Sequence, residues 1–309
     1  MNAQTLSPVA RKIQASCRGT VKLREPLAPH TTLKIGGPAE CWFEPEDESA
    51  LRTALRAASE EGWPVTVVGG GSNLLLPDDG VPGLVVHLGA PAFRELGRDG
   101  DGNVSAGGAV PLAAFLQFLV NQNLGDCEFL MGIPAQVGGA VRMNAGSATH
   151  GIDRHVVRVE AVGFDGAKRA FAREEIPFAY RASGLERCVI TRAVLKFPPV
   201  PAPETLGRLA TYSEYRRKSQ DLKHPNAGCM FRNPGGMNPS AGKLIEDAGL
   251  KGAKAGGAQI STLHANFVVN VGKARQKDVL ELLELAEKTV LDRFKIRLDR
   301  EIRVVPAHG

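Results

Sequence analysis

Two glycine-rich turns constrain this chain most. One is Val67-Val68-Gly69-Gly70-Gly71-Ser72-Asn73-Leu74-Leu75-Leu76. The other is Gly132-Ile133-Pro134-Ala135-Gln136-Val137-Gly138-Gly139-Ala140-Val141-Arg142-Met143-Asn144-Ala145-Gly146. Each sets glycines and small polar residues beside a short apolar run. A glycine lets backbone N–H groups approach a ligand with no Cβ in the way, so such turns can line a phosphate or a flat ring. One such turn is ordinary punctuation; two in one chain point to a large bound nucleotide. The common phosphate loops do not fit. Counting from Gly69, the third and sixth positions of a G-x-G-x-x-G turn are Gly71 and Leu74, so the last glycine is missing. The ribose-binding acid expected ~20 residues on is also missing, since residues 88–92 read Leu-Gly-Ala-Pro-Ala. A Walker loop fails as well: Gly242-Lys243 is followed by Leu244, and Met237 stands where the first glycine belongs.

The remaining composition narrows the partners. At 309 residues, with 43% hydrophobic and 23% charged, the chain is long enough for two or three domains. A net charge of +5 suits a small anionic ligand, and 6% aromatic content leaves little for base stacking, so nucleic acid is not expected. Five cysteines, Cys17, Cys41, Cys127, Cys188 and Cys229, include no C-x-x-C and read as reduced thiols of a cytoplasmic protein. The N-terminal Arg11, Lys12, Arg18 and Lys22 flank no apolar core, so no signal peptide is expected. No stretch approaches ~18 uncharged apolar residues, so no membrane span is expected. The seven histidines show no H-x-x-x-H spacing, and no metal is expected.

Periodicity gives the elements. Residues 40–44, 65–68, 84–88, 104–106, 156–164, 168–172, 188–197, 264–271 and 301–305 read as strands. Residues 48–61, 111–123 and 276–294 carry apolar positions at helical spacing, and a short helix starts near Lys243 and ends at Gly249. Residues 40–68 read as a small βαβ unit. Pro198-Pro199-Val200-Pro201-Ala202-Pro203 reads as a stiff linker that packs on neither side, followed by a basic stretch. Strands and helices mix without strict alternation, so the fold class is α+β.

Several residues can carry chemistry. In Tyr180-Arg181, the arginine is either a surface ion-pair partner or a fork clamping a carboxylate. Cys229 follows Gly228 and stands near His224 and Arg232; it is either inert packing or an acid or nucleophile. Lys243 near a helix start either binds phosphate or is merely solvated, and Glu301 taken singly is an exposed strand carboxylate.

The order of these pieces resembles the UDP-N-acetylenolpyruvoylglucosamine reductase (MurB) family. The resemblance runs from about residue 27 to residue 305 and rests on His30–Ala39, both glycine turns, Tyr180-Arg181, Cys229–Pro234, Ala241–Gly252, His264-Ala265-Asn266-Phe267 and Leu298–Arg303. The short run between Tyr180 and the linker is similar to the family's shorter class, which lacks an extra substrate-capping loop. It implies a two-subdomain FAD-binding module of the vanillyl-alcohol-oxidase (PCMH) type, residues 1–82 and 83–198, and a smaller α+β substrate-binding domain, residues 204–309, that closes over the substrate. Thr32, Gly36, Gly37, Val68, Gly69, Gly70, Gly71, Ser72 and Asn73 would hold FAD on one side. Gly132, Ile133, Gly138, Gly139, Asn144, Ala145 and Gly146 would face the flavin. Tyr180, Arg232, Asn233, Lys243, Gln259 and His264 would bind UDP-N-acetylglucosamine enolpyruvate. The implied reaction takes a hydride from NADPH to flavin N5 and then to C3 of the enolpyruvyl group, with protonation at C2. Arg181 would stabilise the enolate with help from Glu301, and Cys229 would supply the proton. The FAD would be non-covalent, because residues 66–76 contain no histidine or cysteine, and the protein a monomer.

Two positions depart from the family pattern: Cys229 stands where many relatives have serine, and Ala135 follows Pro134 where glycine is usual. Two alternatives stay open. A different vanillyl-oxidase-type flavoenzyme, acting on a small alcohol or sugar, would share the glycine turns but not Arg181, Cys229 and Glu301. A non-enzymatic basic nucleotide- or RNA-binding protein would hold no flavin and bind RNA in a salt-sensitive way.

Overall fold

A computed structural model describes residues 7–147, 150–236 and 238–306. The chain forms two compact units. The first gathers the N-terminal residues through Glu25, Ala39–Gly70 and Pro82–Ser213; the second gathers Pro26–Pro38, Gly71–Val81 and Glu214 onward.

The first unit holds two sheets. One has the strand order Gly19–Pro26, Pro38–Pro45, Val81–Val86, Val65–Val67, with the last two parallel. The expected βαβ unit is therefore split. Its strands are not neighbours, because Val81–Val86 lies between them, and the intervening helix Glu48–Glu60 crosses over a wider gap. That helix starts where the Asp47 side chain accepts the Ala50 N–H at 2.8 Å. It buries Leu51, Ala54, Leu55 and Ala58 against Phe43, Leu84 and Val86. A helix at Pro8–Ser16, capped by Ser7, adds Val9 and Ile13 to the same core. The second sheet is antiparallel throughout, in the order Leu96–Arg98, Val104–Gly107, Cys188–Leu195, Val156–Gly163, Lys168–Ala172. Helices Leu112–Asn121 and Val137–Arg142 cover it, with Phe115, Leu119, Val137 and Val141 fully buried.

The proline segment is not a free joint. Val200 N–H donates to Asn123 O at 2.9 Å and Gly125 N–H to Pro198 O at 3.0 Å, so residues 198–200 run beside 123–125 as an added strand-like edge. The following basic stretch is a helix, Ala202–Ser219. It buries only Thr205 and Leu209, so it shows no apolar stripe in the sequence. Pro203 in its first turn, Glu204 at its start, Arg216, Arg217 and Lys218 at its end, and i,i+4 pairs Glu204–Arg208 and Glu214–Lys218 stabilise it instead.

The second unit has an antiparallel sheet in the order Asn226–Cys229, Phe267–Asn270, Ala258–Ile260, Lys254–Ala255. Helix Gln276–Phe294 spans the expected residues and buries Val279, Leu282, Leu283, Ala286 and Val290 in one core with Leu33, Leu75, Phe231 and Ile245. Burying each large aliphatic side chain contributes about 1.5–3 kcal/mol. The C-terminal strand Arg303–Val304 runs parallel to Leu74–Leu75, the strand that leaves the first glycine turn. No helix among the described residues is long and apolar enough to cross a membrane.

Burial makes a test of this core. Cys41 and Cys127 have no exposed surface, and desolvation pushes both thiols up to about 12. At pH 8 that leaves roughly 10³-fold less thiolate than in a thiol of ordinary acidity. Iodoacetamide should therefore spare both in the folded protein and modify both after denaturation, as read by peptide mass spectrometry. Labelling of either at similar rates in the two states would remove it from the core.

Candidate active site

In the first unit the two glycine turns meet. Val68 is buried; its N–H donates to Val86 O and its carbonyl accepts from His87 Nδ1 at 2.8 Å. Gly70 lies so close to the second turn that a Cβ would stand 2.6 Å from Pro134 O and 3.2 Å from the Ala135 Cα. Gly69 faces the Gln136 side chain. Gly132 is exposed and Ile133 half-buried ahead of the short helix Val137–Arg142. In that helix Gly138 packs on Gly108 and Ile190, while Gly139 is exposed and a Cβ there would meet nothing within 4 Å. Ala135 sits at negative φ, its N–H bonded to Ile133 O at 2.9 Å, so alanine replaces the usual glycine without backbone strain.

Arg181 is fixed to the end of the same turn. Tyr180-Arg181 forms the tip of a tight hairpin in which Ala179 and Ala182 exchange N–H···O bonds of 3.0 and 3.1 Å. The Arg181 guanidinium donates to Gly146 O at 2.7 Å and Asn144 O at 3.4 Å and lies over the Tyr180 ring. Asn144 is buried; its Nδ2 donates to Ala179 O and its Oδ1 accepts the Asp153 N–H. Both Arg181 and Asn144 hold left-handed φ, 58° and 41°, a local strain that these bonds offset. Ala145 is buried behind them, its carbonyl accepting the Ile152 N–H.

The second unit carries the remainder. Gly71, at φ 62°, leaves no room for a Cβ beside His30 O and Thr31 Cα, and its carbonyl accepts the Thr32 N–H at 3.1 Å. Gly36 and Gly37 face the same segment's neighbours: Gly37 N–H donates to Pro77 O at 2.8 Å, and Gly36 O accepts the Ala28 N–H. The backbone N–H groups of Gly69, Gly70, Gly71 and Ser72 make no hydrogen bond among the described residues. Four adjacent donors without a protein acceptor, in a turn shaped by glycines, fit the oxygens of a diphosphate. Asn73 then ties the turn to the C-terminal segment: its Nδ2 donates to Glu301 O at 3.2 Å, and its carbonyl accepts the Arg303 N–H. Glu301 N–H donates to Met230 O at 2.7 Å, directly after Cys229. Arg300, on the other side of the chain, is held by two bonds from its Nε and Nη2 to the Glu287 carboxylate, 2.5 and 2.9 Å. Glu301 and Cys229 thus share one backbone frame with Asn73.

The strand holding Cys229 continues into Arg232, whose N–H donates to Asp299 O and whose Nε is buried with no hydrogen-bond partner in the described structure. A buried, unsatisfied donor on a cation is a place for an anionic ligand. Asn233 Oδ1 accepts the Ala241 N–H at 3.0 Å and so positions the helix Ala241–Asp247. Lys243 on that helix is exposed and paired with Asp247 at 2.6 Å. Gln259 Nε2 donates to Gly252 O. His264 Nδ1 accepts the Asn266 N–H, which leaves the ring proton on Nε2, and burial lowers its pKa and keeps the ring neutral. Asn266 belongs to the His264–Phe267 motif, to which the sequence assigns no role of its own. It is buried, accepts the Phe231 N–H at 2.9 Å and donates to Phe231 O at 2.8 Å, and so clamps the Cys229–Arg232 strand.

Comparisons with known proteins agree with this arrangement. Residues 220–305 match the family described as UDP-N-acetylenolpyruvoylglucosamine reductase, C-terminal domain, and residues 39–169 match the FAD binding domain. The UDP-N-acetylenolpyruvoylglucosamine reductase of Heliobacterium modesticaldum is 42% identical over 96% of this chain and 95% of its own length. A second relative so named, from Symbiobacterium thermophilum, is 39% identical over 97% of each chain. Among solved structures, the MurB protein of Thermus caldophilus is 39% identical with a TM-score of 0.78, covering 94% of this chain and 99% of its own. An Acremonium strictum glucooligosaccharide oxidase, 14% identical with a TM-score of 0.50, covers 97% of this chain and 60% of its own and shares the fold alone. The family match and the row of free N–H donors together make FAD the cofactor, and the chain belongs to the UDP-N-acetylenolpyruvoylglucosamine reductase family.

Proposed function

We infer that this chain reduces UDP-N-acetylglucosamine enolpyruvate to UDP-N-acetylmuramate in peptidoglycan precursor synthesis, drawing its electrons from NADPH. One observation within the structure supports the reading above others: Asn73 of the flavin turn, Glu301 and the residue after Cys229 are joined by consecutive backbone hydrogen bonds. A cofactor turn, a carboxylate and a proton source on one rigid frame is what reduction of a polarised double bond requires.

In this reading residues 1–82 and 83–198 carry the flavin and residues 204–309 the nucleotide sugar. FAD, when bound, would supply the two-electron chemistry that carries a hydride from the nicotinamide to C3 of the enolpyruvyl group. At half-buried Gly69 a Cβ would meet only the Gln136 side chain, and at exposed Gly139 nothing within 4 Å, so both leave room for it; Gly132, Ile133 and Asn144–Gly146 would hold its other side. Hydride addition places negative charge on the substrate carboxylate. Arg181, already oriented by Gly146 O, holds that charge, and Glu301 keeps the polar frame in place. The Cys229 thiol delivers the proton to C2; Gly228 before it leaves open space, since a Cβ there would meet nothing within 4 Å. Arg232, Lys243, Asn233, Gln259, Tyr180 and neutral His264 bind the diphosphate, sugar and carboxylate. The described thiols are all reduced, which suits a cytoplasmic enzyme, and we place it there as a monomer.

Three outcomes follow. Flavin should leave the polypeptide completely on acid precipitation, because the first turn has neither histidine nor cysteine to bond it; colour retained in the pellet would overturn non-covalent binding. Arg181→Lys keeps the charge but loses the planar fork. Stopped-flow traces should show reoxidation of reduced flavin by substrate slowed roughly 10²–10³-fold, with reduction by NADPH little changed. Equal slowing of both halves would make Arg181 an organiser of the site alone. Cys229→Ala should lose about 10²–10⁴-fold in the same reoxidation step, while Cys229→Ser retains measurable turnover. Parent-like rates in Cys229→Ala would assign the proton to another donor.

A further inference from the structure

We propose that Asp126, His150 and His155 form a binding site for one divalent transition-metal ion of the zinc class. Asp126 Oδ2 lies 3.5 Å from His150 Nε2 and 3.4 Å from His155 Nε2, and the three ligand atoms all fall within 4.8 Å of one another. The site is empty in this structure. All three residues belong to the first unit, and none takes part in the chemistry assigned above.

The tautomers point to a cation. His155 is 5% exposed, and its Nδ1 lies 3.0 Å from Lys196 O. A carbonyl can only accept, so Nδ1 carries the proton and Nε2 presents a bare lone pair. That lone pair faces a carboxylate oxygen, and the buried His155 Nε2 has no hydrogen-bond partner among the described residues. His150 Nδ1 lies 3.3 Å from the Arg154 guanidinium, which can only donate, so the neutral ring carries its proton on Nε2 and must give it up or move it to bind the ion there. Two acceptors aimed at each other without a proton between them repel. A metal ion between them removes the conflict, and the Nδ1–H···O=C bond is the outer contact that orients a metal-binding imidazole.

Geometry and surroundings agree. Ligand bonds of about 2.0–2.2 Å in a tetrahedral site place donor atoms about 3.3 Å apart, close to both distances from Asp126. Phe129 packs on both imidazoles, with centroids 4.8 Å from His150 and 5.6 Å from His155, and Phe197 stacks on His155 at 4.3 Å. This apolar shell limits water on one side, while the Asp126 side chain, 41% exposed, leaves an entry path on the other. Two imidazoles and one carboxylate favour zinc-like ions over magnesium or calcium, and three protein ligands leave a fourth position for water. The ion would fasten the loop after the second glycine turn to residue 126, since Ser147 N–H already donates to His150 O and Ile152 N–H to Ala145 O.

The test uses the flavin-loaded protein, stripped of metal with chelator and titrated with zinc chloride by calorimetry, with metal content read by elemental mass spectrometry. One equivalent per chain is expected. Asp126→Asn and His150→Gln should each weaken binding at least about 10-fold, more than loss of an outer contact alone costs at the lower end. Asparagine tolerates the left-handed φ of 58° at position 126, so that variant keeps the fold and decides the matter should His150→Gln fail to fold. His224→Ala, which removes the exposed Asp221–His224 pair, should leave the stoichiometry at one. No binding by the parent at millimolar zinc would overturn the proposal. Undiminished binding by both ligand variants would overturn it equally.

Discussion

Backbone-to-backbone contact at the first glycine turn is the constraint on which the rest depends. Gly70 stands against Pro134 and Ala135, and Gly71 against His30 and Thr31, with no space for a Cβ at either place. A side chain at Gly71 would meet both that overlap and a left-handed backbone, a combination costing about 1–2 kcal/mol for the conformation alone. The N–H groups of Gly69–Ser72 make no hydrogen bond among the described residues. Such a row of donors is a ready site for an anion. The turn is thus shaped by its packing and stabilised by its cofactor.

Within the second unit, hydrogen bonds join the polar groups into one frame. Asn73 holds Glu301 and Arg303, Glu301 holds Met230, and Asn266 grips Phe231 from both its backbone groups. Arg300 alternates to the opposite side and is locked by Glu287 on the long helix Gln276–Phe294. The helix packs against the same core that receives Leu75 from the glycine turn, so burial of apolar surface fixes the positions of polar groups that could not fix themselves.

Legibility in the sequence followed the strength of the local signal. Helix Gln276–Phe294 was readable to its ends, because a full apolar stripe leaves no competing interpretation. The glycine turns and Arg181 were readable as an ordered set, and the structure adds that Gly146 and Asn144 carbonyls hold the guanidinium. Helix Ala202–Ser219 was not readable, since it buries two residues and depends on charge pairs and end charges. The proline segment misled for a related reason: proline fixes φ, which suits a free spacer and a strand-like edge alike, and only the partner Asn123–Gly125 decides between them. Asn266 and the Asp126, His150 and His155 trio escaped because their meaning lies in contacts between segments far apart in the chain.

Strain and chemistry coincide in the first unit. Asn144 and Arg181 are both non-glycine residues at left-handed φ, and each is held there by bonds to the other's hairpin or turn. The conformation costs each about 1–2 kcal/mol and persists only because buried Asn144 satisfies Ala179 O and the Asp153 N–H together. An arginine on an unstrained loop would be free to swing, and its charge would have to be reorganised each time a negative substrate group formed. Here the guanidinium is oriented before substrate arrives, by carbonyls that cannot move without breaking the turn. The reading of Arg181 as a group that stabilises developing charge, proposed above, rests on this fixed orientation, which a freely rotating side chain would lack.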